Sequence, residues 1–196
     1  MKIGTLLFFL MLLGASGVAA DDPGKETDPV FGGQILSLTE PKADVGKSEN
    51  PRFRDNEDGT VTDFEMKLVW TREDSLQRVK KWINWDKAGE YIQALNKSRL
   101  GGYSDWRLPT RKELASLYDE SQTIPWNYYW TKNDLHIDPI FGNSHCCYWT
   151  GEEMNKDMAW GFSYIRGKPY PSGKGGIQRS LSVIRAVRAL TEDPKG

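Results

Sequence analysis

The chain has 196 residues, 26 Lys and Arg against 27 Asp and Glu, and two Cys. A net charge of −1 barely constrains the partners, and two cysteines exclude a disulfide framework. Hydrophobic content of 38% and aromatic content of 12% exclude a disordered chain and supply one sizeable core.

Lys2, the apolar run from Ile3 to Leu13 and the small residues ending at Ala20 read as a secretory signal, residues 1–20. The apolar run is too short for a stable span, so the expected mature chain is exported, periplasmic or extracellular, with no membrane span after cleavage. Residues 21–50, rich in Asp, Pro, Gly, Lys and Glu, read as an irregular spacer with one apolar island at Ile35 to Leu38. The domain is expected over 51–190, with 191–196 as a tail.

In "RFRDNEDGTVTDFEMKLVW", Arg52 to Trp70, the pair Asp58-Gly59 separates two extended runs, a hairpin signature. The acidic cluster Asp55, Glu57, Asp58 and Asp63 fits no register of a calcium loop and reads as turn chemistry. "NWDKAGEYIQALNK" spaces Trp85, Ala88, Ile92 and Leu95 as one face of a helix with Asn84 as its cap. A second helix is announced by "TRKELASLYDE", where Thr110 and Glu113 form a capping box ahead of Leu114, Leu117 and Tyr118.

Between the helices lies "GGYSDWRLPT", Gly101 to Thr110. Gly101-Gly102 end one helix, Trp106 and Leu108 bring apolar surface, Pro109 stops extension and Thr110 caps the next. Arg107 is expected to pair with a carboxylate or cap carbonyls. No base or nucleophile accompanies it, so the stretch reads as a joint and not an active site.

After Ser121 the helical period gives way to short strands and loops rich in Trp and Tyr, and "SLSVIRAVRAL" reads as a closing strand with a bulge. Gly161 to Thr191 holds no Asp or Glu but six cations, Arg166, Lys168, Lys174, Arg179, Arg185 and Arg188. That asymmetry fits an anionic partner, but more readily a set of strands with acidic neighbours in space. Cys146-Cys147 admit a vicinal disulfide, a bond to another molecule or two buried thiols. His136, Asp138, His145, Cys146 and Cys147 match no standard zinc spacing and read as loop structure; no metal or other cofactor is implied.

The segments "DNEDGTVTD", "GGYSDWRLPTRKEL", "YWTGE", "AWGFSY" and "SVIRAVR" resemble, in order and spacing, the Lcl C-terminal domain family, a domain of unknown function named for the Legionella collagen-like adhesin. The resemblance covers about residues 51 to 190. It implies an α+β, C-type lectin-like fold, two helices flanking a small irregular antiparallel sheet with long loops, in an exported bacterial protein. Many members carry a cysteine pair where this chain has Ile92 and Ala186, and the resemblance implies that these two residues lie close in space.

Function then reads first as a non-enzymatic binding module for carbohydrate or another anionic surface polymer, in an adhesion-type role. Its candidate binding residues are Trp126, Tyr128, Tyr129, Trp130, Arg166, Lys168, Lys174 and Arg179, because aromatic rings stack on sugars and cations pair with sulfate or carboxylate. Trp106, Arg107, Pro109, Thr110, Glu113, Trp149, Trp160, Arg185 and Arg188 are assigned to structure. A surface protein is the alternative partner, and nucleic acid is not expected for an exported chain. An enzyme akin to the formylglycine-generating enzymes ranks last, since their chemistry needs a paired cysteine site for copper, which vicinal cysteines do not resemble.

Overall fold

Asp58-Gly59 turns the chain back on itself because Gly59 adopts φ +85° and the Asp58 carboxylate accepts the Thr60 amide and hydroxyl. The computed structural model describes residues 46, 48–128, 130–142, 144–175 and 182–191. The signal, most of the spacer, residues 192–196, Tyr129 and Arg179 lie outside them. Strand β1 (Phe53–Asp55) thus pairs antiparallel with β2 (Thr60–Asp63).

The run beyond Thr60 does not continue as one strand. Buried Asp63 accepts the amides of Glu65 and Met66 and both arms of the Arg52 fork at 2.6 and 2.9 Å, and Lys67 completes a second turn at φ +55°. Strand β3 (Leu68–Thr71) returns along β2 and sets Trp70 opposite Val61 in the core.

A short helix that the apolar spacing does not announce follows, α1 (Ser75–Val79), with Asp74 and Gln77 as a capping box. The signal was present as the D-x-x-Q spacing, which is a capping pattern in its own right. Asn84 caps a 3-10 turn, Trp85–Lys87, which leads into α2 (Ala88–Ser98), where Ala88, Tyr91 and Leu95 face inward. The third helix, α3 (Arg111–Ser116), starts at the predicted Thr110 and Glu113 box and buries Leu114.

Strands β4 (Ile124–Tyr128) and β5 (Thr131–Leu135) form a separate hairpin. Strands β6 (Cys147–Glu153), β7 (Met158–Ser163) and β8 (Lys168–Gly173) form an antiparallel meander. The closing segment is where the expectation of a single bulged strand is corrected. Strand β9 (Ser182–Val183) runs parallel to β6, whereas β10 (Val187–Ala189) runs antiparallel to β3, so the chain changes sheets across Ile184, Arg185 and Ala186.

The sheets therefore read β1-β2-β3-β10 and β8-β7-β6-β9, joined by one buried crossover. The crossover backbone is satisfied locally: the amides of Ser75 and Thr71 donate to the carbonyls of Ile184 and Ala186, and the Ser75 and Thr71 hydroxyls accept the amides of Ile184 and Ala186. Ile92 packs against the apolar cluster that holds Ala186. Mixed helices and antiparallel sheets make this an α+β fold.

Candidate functional site

Arg185 explains why a cation belongs in the crossover. Its guanidinium is wholly buried and donates to the carbonyls of Thr71 at 2.8 Å, Arg72, and Phe141 at 3.0 Å, and to the Tyr148 hydroxyl at 3.2 Å. It also lies over the rings of Phe141 and Tyr148 at 5.1 and 5.2 Å. The Tyr148 hydroxyl in turn donates to Asp74 at 3.3 Å, so the helix cap and the crossover share one buried network. Burial pushes the Tyr148 hydroxyl well above the ordinary phenol range. Arg185 is structural, as the sequence suggests.

The joint is built as a joint. Gly101 and Gly102 take φ +62° and +87°, and a Cβ on Gly101 would sit 2.7 Å from Thr60 Cγ2. Trp106 is buried against Leu95 and Ala186, and its amide and carbonyl are read by the Asn96 side chain at 2.7 and 3.0 Å. Arg107 pairs with Glu113 through both guanidinium nitrogens, at 2.9 and 2.6 Å. Burial opposes ionisation of Glu113, but the Arg107 fork and the Thr110 amide outweigh it and hold the carboxyl below its ordinary value. The Thr110 cap and buried Pro109 complete the stretch.

The basic carboxyl-terminal stretch dissolves on folding. Arg185 is interior, Arg188 is paired with Asp105 at 2.6 Å, and Lys174 is buried beside Glu153 at 2.9 Å with its ammonium 4.8 Å over the Trp85 ring. Lys174 is thus corrected from a ligand contact to a sheet-edge pair. Arg166 and Lys168 remain exposed at the β7 to β8 turn, without an ion pair among the described residues. Lys168 opens β8 and Lys174 follows its end, so the two do not share a patch.

The aromatic candidates divide in the same way. Trp126 is corrected too: its ring is buried, stacked on Tyr128 at 5.6 Å and set edge-on to His145 at 4.9 Å, so its faces are occupied. Tyr128 is half-buried beside it. Trp130 stands at the tip of the β4 to β5 hairpin and is 88% exposed. Trp149 is core as expected, whereas Trp160 is half-buried beneath the Arg111 guanidinium at 4.6 Å, which Glu152 holds at 2.6 Å.

His136 and His145 are not brought to one site. His136 Nδ1 lies 2.8 Å from the Gln122 carbonyl, and Asp138 accepts the Ile140 amide and the Ser48 hydroxyl. His145 is enclosed by Trp82, Trp126 and Tyr128, and burial pushes its imidazole down to about 3. Beside it Cys146 and Cys147 are joined as a vicinal disulfide. Among the described residues no helix is long and apolar enough to cross a membrane.

No curated protein matches the chain. The model of the Lcl C-terminal domain matches residues 59–188, from the hairpin glycine through the joint to the last strand. With that span covering most of the described fold, the chain belongs to the Lcl C-terminal domain family.

Proposed function

We propose that this is an exported, non-enzymatic binding module with a C-type lectin-like fold, and that it recognises carbohydrate carrying sulfate or carboxylate groups. The observation that carries the reading is Trp130, whose indole is 88% exposed on a projecting hairpin while Trp70, Trp106, Trp126 and Trp149 are buried. Exposed indoles at such positions are the side chains that binding buries to most effect. Exposed Arg166 and Lys168 supply charge-assisted donors for an anionic group.

The test is binding of the chain without residues 1–20 to sulfated and unsulfated polysaccharides across a salt gradient, beside Trp130→Ala and a double Arg166→Ala, Lys168→Ala variant. Retention on the sulfated form alone, weakened by salt and by both variants, supports the proposal. Absence of binding to either polysaccharide overturns it and transfers Trp130 to a protein partner.

A further inference from the structure

Cys146 and Cys147 are bonded across a single peptide unit, with Cα atoms 3.7 Å apart. A disulfide stabilises a fold chiefly by closing a loop of the unfolded chain, and this one closes none. The turn is held by other groups: Asp74 accepts the Ser144 amide and hydroxyl at 3.1 and 2.7 Å, and the Cys146 carbonyl accepts the Tyr164 amide at 2.9 Å. Cys147 then enters β6 between Ser163 and Ser182. The turn is thus held by hydrogen bonds that do not involve the disulfide.

The two sulfurs sit in different settings. Cys146 is buried with its Sγ 3.7 Å from His145 Nδ1, whereas Cys147 is partly open to solvent. The His145 ring is itself walled by Trp82, Trp126 and Tyr128 at centroid distances of 4.8, 4.9 and 6.0 Å. This enclosure keeps the imidazole neutral at physiological pH.

We propose that the His145-Cys146-Cys147 turn is a thiol–disulfide exchange site, reduced by an external dithiol while the domain stays folded. A thiolate of the dithiol attacks Cys147 Sγ, on the less buried of the two cysteines; the disulfide breaks and its electron pair leaves on Cys146 Sγ. The second thiolate of the dithiol attacks its own sulfur in the mixed disulfide, closes to a cyclic disulfide and releases the Cys147 thiolate. Both cysteines take up the two protons the dithiol has given, so the protein gains two electrons and the dithiol loses two. His145 is a positioning residue here: with its proton on Nδ1, the neutral ring donates to the departing Cys146 sulfur. The proposal is independent of carbohydrate binding.

The experiment treats the folded chain with increasing dithiothreitol, quenches with iodoacetamide and reads mass alongside near-ultraviolet circular dichroism. The expected result is no free thiol in air and two alkylated thiols after reduction, with the folded spectrum retained. Glutathione followed by quenching should place the glutathione on Cys147 and the alkyl group on Cys146. His145→Phe should lower the reduction rate several-fold at an unchanged final thiol count, and His145→Asn, which keeps a donor, should recover most of it. Thiols that appear only with denaturant, or glutathione confined to Cys146, overturn the site; an unchanged rate in His145→Phe overturns the role of the imidazole.

Discussion

Arg188 Nε lies 2.6 Å from Asp105 Oδ1 and its Nη2 3.1 Å from Oδ2, with the guanidinium 3.9 Å above the Tyr103 ring. Arg107 and Val187 exchange backbone hydrogen bonds of 2.9 Å on either side. The joint is therefore sewn to the last strand, which is the physical reason the "SDWRLP" and "VIRAVR" segments belong together. The Arg188 side chain is nearly buried while Asp105 faces solvent, so removing the carboxylate strands the cation. Asp105→Ala should cost about 1–3 kcal/mol in urea unfolding. Arg188→Lys should also be destabilising, because an ammonium cannot take both Asp105 oxygens as the planar fork does.

Acid should destabilise the domain in two stages. The Arg188 hydrogen bond holds Asp105 below its ordinary 3.8, and Glu113 is held below 4.5; stability from these pairs is present above those values and lost as pH falls through the lower folded ones. His145 acts earlier. Its folded pKa, pushed down to about 3 by burial, lies below the ordinary 6.5, so the unfolded chain binds a proton the folded one refuses and stability falls from pH 6.5 towards 3. Thermal midpoints measured between pH 7 and 5 should decline in the parent chain and flatten in His145→Phe.

Arg185 should tolerate no replacement. Its fork satisfies three carbonyls and one hydroxyl in the interior, so Arg185→Met leaves those acceptors unpaired at a cost of roughly 3–5 kcal/mol. Arg185→Lys should recover little of this. Tyr148→Phe, which removes only the hydroxyl between Asp74 and Arg185, should cost about 1–2 kcal/mol by the same urea titration.

Substitutions in the joint should act on folding alone. Thr110→Ala removes the helix cap at about 1 kcal/mol, and Gly101→Ala combines a positive φ with a Cβ 2.7 Å from Thr60 Cγ2, at about 1–3 kcal/mol. Arg107→Ala loses a half-exposed pair and should cost under about 1 kcal/mol. Polysaccharide retention per folded molecule should match the parent chain in all three; loss of retention in a fully stable Arg107→Ala would make the joint a binding site.

What the sequence determined by itself was local. The Asp58-Gly59 turn, the Asn84 cap and the Thr110 and Glu113 box each depend on hydrogen bonds or φ values spanning a few residues, so spacing alone reveals them, whereas α2 ends at a left-handed Arg99, ahead of the glycines expected to stop it. The α1 cap at Asp74 and Gln77 was equally legible, but the helix is too short to show an apolar period. Tertiary structure alone decided which cations and rings reach water, because that depends on partners far along the chain: Asp105 for Arg188, Glu153 for Lys174, and Tyr128 with His145 for Trp126. It also decided the change of sheet at Ile184 to Ala186, because the partners that hold the crossover, Thr71 and Ser75, lie more than a hundred residues earlier in the chain.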